Sequence, residues 1–223
     1  MNFNPKAIRI LAFGDSNTWG RVPGEDNKKR FDSNIRWTGI LQKLLGEEYE
    51  IIEEGLNGRT THLESPNKNG KNGKTYFYSC LESQNPIDII ILSLGGNNLK
   101  SKYKQTPEDI GLGIEQCLEM IGLEGRNKDG TLPITILVPP IIIEEVPRVR
   151  GDETIIDLKG GKSKSIELPE IYEKIAKKKD ILFADWNKVA KASPIDGIHL
   201  DAEEHEKIAQ FFYEILSKLT VKN

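Results

Sequence analysis

Ala7-Ile8-Arg9-Ile10-Leu11-Ala12-Phe13 is an apolar run broken only by Arg9, and Gly14-Asp15-Ser16-Asn17-Thr18-Trp19-Gly20 follows it directly. The reading of this stretch decides the fold. A short apolar run that stops at a glycine predicts a buried strand. Gly14, with no Cβ, lets the backbone turn sharply. Ser16 then falls near the start of the next helical stretch, where free N–H groups point outward. A serine hydroxyl at the mouth of a sheet, with anion-stabilising backbone beside it, is positioned for nucleophilic chemistry. Taken alone, Gly-Asp-Ser is more often a plain helix start, with Asp15 or Ser16 as the N-cap. The remainder of the chain decides between the two.

Working outward, apolar runs alternate with amphipathic ones. Ile35, Trp37, Ile40, Leu41, Leu44 and Leu45 recur at helical spacing, with Gly46 as a stop. Residues 49–52 predict a second strand, 76–83 a helix ending before Pro86, and 87–94 the clearest strand, nearly all β-branched or Leu. Pro107 suits a first helical turn, and Ile110, Ile114, Leu118 and Ile121 follow on one side. Residues 134–138 predict a fourth strand stopped by Pro139-Pro140, 168–177 a helix, and 181–184 a fifth strand. Residues 202–219 predict a closing helix with Ile208, Phe211, Phe212, Ile215 and Leu219 on its core face and Asp201, Glu203 and Glu204 at its dipole-positive start. Residues 66–74 and 125–130 read as loops, and 148–164 as a polar, Gly-containing stretch with no assigned element. Strands apolar on both faces, alternating with helices, predict an α/β fold built on a parallel sheet of about five strands. The pattern leaves the strand order open.

A length of 223 residues predicts a single domain with a substantial core. The formal net charge of −3 and the absence of a basic stripe interleaved with aromatics argue against a nucleic-acid partner. Lys28-Lys29-Arg30 and Lys177-Lys178-Lys179 are short, are flanked by acids, and predict solvated faces. Cys80 and Cys117 lie in helical stretches without metal-binding spacing, which predicts reduced, buried thiols and a reducing compartment. No signal-peptide pattern opens the sequence, and no apolar run approaches the ~20 residues of a membrane span. The expectation is a soluble cytoplasmic protein with no membrane partner.

In an open parallel sheet the loops leaving the strands' carboxyl ends share one edge, and ligands bind there. Ser16 leaves the first strand, Glu54-Gly55-Leu56-Asn57-Gly58-Arg59-Thr60-Thr61 the second, Gly95-Gly96-Asn97-Asn98 the third, and Pro194-Ile195-Asp196-Gly197-Ile198-His199 the fifth. A serine hydroxyl needs an adjacent base to become a nucleophile. His199 is the candidate base, and Asp196, three residues earlier, can reach one ring nitrogen and fix its tautomer. The N–H of Ser16, the N–H of Gly58 and the side-chain amide of Asn97 are candidate donors to a developing oxyanion. Asp15, Trp19 and residues 66–74 are candidates to shape the substrate pocket. Of the other histidines, His62 reads as a surface residue, and His205, among Glu203, Glu204 and Glu206, as solvated. Asp196, His199 and His205 lack a convincing further ligand for a metal site, and no cofactor is expected. Gly160-Gly161-Lys162-Ser163 is not a phosphate loop, because Ile156 stands where the first glycine is needed. Gly14-x-Ser16-x-Thr18 is not the α/β-hydrolase elbow, because Thr18 replaces its second glycine.

With these blocks in order the chain resembles the SGNH (GDSL-like) hydrolases. The blocks are Gly14-Asp15-Ser16-Asn17-Thr18 (Asn17 where Leu is more usual), Gly58 within Asn57-Gly58-Arg59-Thr60-Thr61, Gly95-Gly96-Asn97-Asn98, and Asp196-Gly197-Ile198-His199. The resemblance implies a flavodoxin-like three-layer α/β/α fold, Ser16 as nucleophile, Gly58 and Asn97 in the oxyanion hole, and Asp196 and His199 completing a triad. Within the family the chain is most similar to the small cytoplasmic arylesterase and acyltransferase branch, through Ser16-Asn17-Thr18-Trp19-Gly20, the stretch 53–61, Asn72-Gly73-Lys74-x-Tyr76 and Asn97-Asn98-Leu99-Lys100. That implies a small-molecule ester substrate with a short acyl chain, a tendency to form homo-oligomers, and in places acyl transfer to an alcohol or peroxide. Asn98 departs from the Asp usual there, a carboxylate read as supporting the loop rather than the chemistry. From another class, a flavin-phosphate site on Ser16-Asn17-Thr18 is the alternative, with Asp15 speaking against it.

Overall fold

The computed structural model describes residues 4–26, 28–66, 68–146, 158 and 160–219. Most of the polar stretch 148–164 therefore lies outside the described residues, and its expected irregularity applies to no described element before residue 160.

Five parallel strands, β1 (Ile8–Gly14), β2 (Tyr49–Gly55), β3 (Ile89–Ser93), β4 (Ile134–Val138) and β5 (Leu182–Phe183), form one sheet in the order β2-β1-β3-β4-β5. This is the doubly wound order of flavodoxin-like folds. The helices are α1 (Ser16–Trp19), α2 (Trp37–Leu45), α3 (Gly73–Gln84), α4 (Pro107–Glu124), α5 (Gly161–Lys179) and α6 (Ala202–Leu216). Strand alternation sends side chains to two cores. Leu11, Phe13, Ile90, Leu92 and Leu137 pack under α3, α4 and α5 with Phe77, Leu81, Ile110, Ile114, Leu168 and Tyr172. Ile10, Ala12, Ile89, Ile91, Ile136 and Val138 pack under α2 and α6 with Trp37, Leu41, Ile208 and Phe212. The fold is thus the three-layer α/β/α sandwich expected.

Several boundaries differ from the sequence pattern for identifiable reasons. β2 runs on to Gly55 through two acids, in register with β1 as far as the Gly14–Gly55 pair. Both acids are compensated. Glu53 takes Arg36 at 2.7 and 2.6 Å, Arg30 at 3.3 Å and the Thr38 hydroxyl. Glu54 accepts from the Tyr76 hydroxyl at 3.1 Å. As the sheet's edge, β2 exposes backbone groups, and Gln42 of α2 covers two of them: its amide donates to Tyr49 O at 2.9 Å and accepts from Ile51 N at 2.8 Å. α4 opens as expected with Pro107, behind a Thr106–Asp109 capping box. α5 starts at Gly161, seven residues before Leu168, where the sequence pattern begins it, and carries Pro169 inside it. Arg30, expected to be solvated, is half-buried over the Trp19 ring and donates to Trp19 O, whereas Lys28, Lys29 and the 177–179 run are exposed.

His205 is the clearest correction. It was expected to be solvated and is fully buried. Its Nδ1 accepts the backbone N–H of Trp37, the first residue of α2, at 3.2 Å, and Phe31 packs edge-on at 5.5 Å. The ring meets one of the orphan N–H groups that every helix start leaves behind. Cys80 and Cys117 are buried free thiols, both pushed up to about 12, first of all by burial.

Candidate active site

β1 ends at Gly14, and α1 begins two residues later with Ser16. Gly14 has no unusual φ. It is needed for space: a Cβ there would run into the Thr18 hydroxyl of α1 and the Ser93 carbonyl of β3. Asp15 is the N-cap, its Oδ1 accepting the Asn17 N–H at 3.0 Å. The bland reading of Gly-Asp-Ser therefore holds for Asp15, and the cap leaves the Ser16 hydroxyl uncommitted to the helix start. Asp15 also fills the helix start that a flavin phosphate would need.

Ser16, His199 and Asp196, expected from sequence to act together, are brought into one hydrogen-bonded line. His199 Nε2 lies 3.0 Å from Ser16 Oγ across 183 positions of sequence separation. On the other side of the ring, Nδ1 lies 2.7 Å from Asp196 Oδ2. A carboxylate there requires N–H at Nδ1, which leaves Nε2 to accept the serine proton. Asp196 is itself held from four directions. Its Oδ1 accepts the N–H groups of Ile198 and His199 at 3.0 and 2.9 Å, and its Oδ2 also accepts the Gly24 N–H at 3.0 Å. Burial works against the Asp196 charge, but the ring and backbone donors outweigh it and hold the carboxyl well below the usual range. Asn17 reaches across to this loop as well, donating to Ile198 O at 3.1 Å.

Asn97 sits in the 3₁₀ turn Gly96–Leu99 after β3 and lines the same recess as Ser16 and His199. Its amide donates to Arg59 O at 3.0 Å and more weakly to Asp15 Oδ2 at 3.4 Å. One N–H is thereby fixed, and the other points at a partner loose enough to be exchanged. Gly58 has φ of +77° on the loop after β2 and does not line the recess. Neither its N–H nor that of Ser16 is hydrogen-bonded among the described residues. Arg59 braces this loop: its guanidinium, 4.1 Å above the Phe13 ring, donates to Gly14 O and Glu54 O. Asn98, in place of the expected carboxylate, is fully buried. It accepts from Thr61 N and donates to Thr61 Oγ1, both at 2.9 Å, and donates to Gln105 Oε1 at 2.6 Å. An amide supplies both the donor and the acceptor that this tie requires.

The recess is small, with a volume of about 20 Å³. Asp15, Ser16, Asn97, Lys100 and His199 form its polar side. Its apolar side is Pro140, Ile141, Ile143, Leu158, Trp186 and Ile198. Sequence reading found the exits of β1, β2, β3 and the last strand but overlooked that of β4. The signal was present in Pro139-Pro140-Ile141-Ile142-Ile143, an apolar run leaving a strand at the same edge. Lys100 was overlooked too; burial, with Lys102, pulls its ammonium down to about 8 despite nearby Asp15. Burial pushes the Asp15 carboxyl up, against the Asn17 N–H and the neighbouring His199, Lys100 and Arg59. Trp19 does not line the recess, nor does any described residue of 66–74. His62 is half-buried away from it, its Nδ1 at 2.9 Å from Thr61 Oγ1. Among the described residues no cluster of His, Cys, Asp and Glu is arranged to hold a metal, and no helix is long and apolar enough to cross a membrane.

With this geometry in view, the chain can be set beside known proteins. The profile of the GDSL-like lipase/acylhydrolase family matches residues 12–207. Comparison with curated proteins gives no significant match. Among solved structures, the aryl esterase of M. smegmatis superposes with a TM-score of 0.89 at 34% identity, over 96% of this chain and 100% of that one. Est24, a carbohydrate acetylesterase from Sinorhizobium meliloti, does so with a TM-score of 0.87 at 32% identity, over 95% and 99% of the two chains. A second carbohydrate acetylesterase family member from Sinorhizobium meliloti gives 0.84 at 29%, over 93% and 96%. From the strand order, the serine at the sheet's edge and these matches together, the chain belongs to the GDSL-like lipase/acylhydrolase family and is a serine-type ester hydrolase.

Proposed function

We propose that Ser16 is the nucleophile of a short-chain esterase, with His199 as general base and Asp196 orienting it. The observation that carries this reading is the unbroken line from Ser16 Oγ through His199 to Asp196, at 3.0 and 2.7 Å. His199 Nε2 takes the Ser16 proton as Oγ attacks the ester carbonyl, and Asp196 stabilises the imidazolium that forms. The Ser16 N–H and the free arm of the Asn97 amide, both on the recess, receive the oxyanion, with the Gly58 N–H, outside the lining but without a partner among the described residues, as the third donor. His199 then protonates the departing alkoxide. Water, activated by the same imidazole, releases the acid from the acyl-serine.

The volume of the recess favours a small acyl group such as acetyl, since about 20 Å³ is little more than one water needs. Aryl and acetyl esters are the substrates that the names of the similar structures point to, which supports a reading within the arylesterase and acyltransferase branch. Six apolar residues in the lining favour a second outcome, in which an alcohol takes the acyl group in competition with water. The two buried free thiols support a reducing, cytoplasmic setting. Hydrolysis of 4-nitrophenyl acetate tests the assignment. Ser16→Ala should abolish it, and turnover retained by that variant removes Ser16 from the reaction. Free acid measured against new ester in added alcohol separates hydrolysis from transfer.

A further inference from the structure

Two lysines, Lys100 beside Ser16 in the recess and Lys71 against Gly58, have no counter-charge assigned to them by the mechanism. Lys100 lines the recess and is partly exposed at its rim. Lys71 is 7% exposed, and its stem lies against Gly58, with Cδ and Cε 3.9 Å from where a Cβ would be. Neither ammonium makes a hydrogen bond or ion pair among the described residues. A lysine is almost never buried to that degree without a partner. The acids nearby are mostly committed. Glu54 is bound by Arg59 and Tyr76, and Asp196 by His199 and three backbone N–H groups. Asp15 remains, partly engaged with Asn97 and the Asn17 N–H. Among the described residues the partly engaged Asp15 is thus the acid left to face Lys100, although the chain as a whole has a net charge of −3.

We propose that Lys100, with Lys71 behind it against Gly58 and outside the lining, makes the recess an anion-binding subsite, so that the preferred substrates are short-chain acyl esters whose alcohol or phenol carries a carboxylate. This rests on the reading of Ser16 as nucleophile and names the substrate class for that same site. The anion belongs on the leaving-group side because the recess beside Ser16 is narrow, which suits a short acyl group, whereas Lys100 is partly exposed. Lys100 meets the carboxylate directly, and Lys71, farther back over Gly58, strengthens the field there. A charge-assisted hydrogen bond of this kind alters affinity by about ten- to a hundredfold.

The test compares 4-acetoxybenzoate with its neutral analogue, methyl 4-acetoxybenzoate, following release of the phenol. The quantity read is the ratio of kcat/KM for the anionic ester to that for the neutral one, in the wild type and in each variant, so that intrinsic leaving-group reactivity cancels. Lys100→Gln should lower the ratio about tenfold or more, through KM for the anionic ester. Lys100→Arg should keep it, and Lys71→Gln should lower it less. Equal ratios in the wild type and both Gln variants overturn the subsite. Inhibition of neutral-ester turnover provides a measurement on the unaltered protein: 4-methoxybenzoate should inhibit at least about tenfold more tightly than 4-methoxybenzamide, and equal inhibition overturns the proposal. Ser16-dependent turnover of the neutral ester with unchanged ratios defeats the subsite alone. Absence of turnover of both esters defeats the nucleophile reading and the subsite with it.

Discussion

Replacing His205 with asparagine should make the protein less sensitive to mild acid. The imidazole is fully buried, accepts the Trp37 N–H through Nδ1, and is pulled down to about 3, first by burial and then by Arg36 and His199. Its unfolded value is about 6.5. Between those two values the unfolded chain binds a proton that the folded chain refuses, so stability rises with pH there and falls as pH drops. The contribution of the neutral ring is complete above about pH 6.5 and is lost progressively below it, by about 1.4 kcal/mol per pH unit. From pH 6.5 to pH 5.0 that amounts to about 2 kcal/mol, or about 4–8 °C in Tm for a chain of this length. Asparagine keeps an acceptor near the position of Nδ1 but has nothing to titrate. Thermal melts of wild type and His205→Asn at pH 7.5 and pH 5.0 read the difference. The variant melts lower at pH 7.5, having lost the Phe31 contact, but its further loss on going to pH 5.0 should be smaller than that of the wild type by those few degrees. The same loss in both proteins refutes the buried neutral histidine.

Two further outcomes follow from the recess. Asn97→Ala removes one oxyanion donor and leaves the Arg59 carbonyl without its partner; turnover of 4-nitrophenyl acetate should drop about 10²–10³-fold, and steady-state kinetics with an unchanged kcat would take Asn97 out of the mechanism. Asp196→Asn keeps the shape of the loop but offers an amide where Nδ1–H needs an acceptor, so kcat should fall about 10⁴-fold as in other triads. A loss below tenfold would show that the carboxylate does not govern the ring.

Much of this architecture is legible in the sequence because burial and periodicity coincide. β1, β3 and β4 are apolar on both faces, as strands under two helical layers must be, and three of the four strand exits that were read line the recess, while that of β2 lies beside it through the Asn97–Arg59 hydrogen bond. What escaped was set by partners distant in sequence. Nothing within residues 49–55 reveals that Arg36 and Tyr76 compensate Glu53 and Glu54, so β2 looks shorter than it is. The Gly24 N–H that helps hold Asp196 belongs to a loop 172 positions away. His205 was misjudged because local charge was weighed above periodicity. It lies on the same buried stripe as Ile208, Ala209 and Phe212, and the acids beside it in sequence do not share that face uniformly, since Glu204 is itself buried against Lys191 N and Lys207.

Labelling with a fluorophosphonate, followed by mapping of the adduct, tests the central claim most directly, because the reagent reacts only with a serine whose proton is being withdrawn. One adduct is predicted, on Ser16, absent from Ser16→Ala and formed at least about 10³-fold more slowly by His199→Ala. An adduct on another residue, or labelling of His199→Ala at the wild-type rate, contradicts the account.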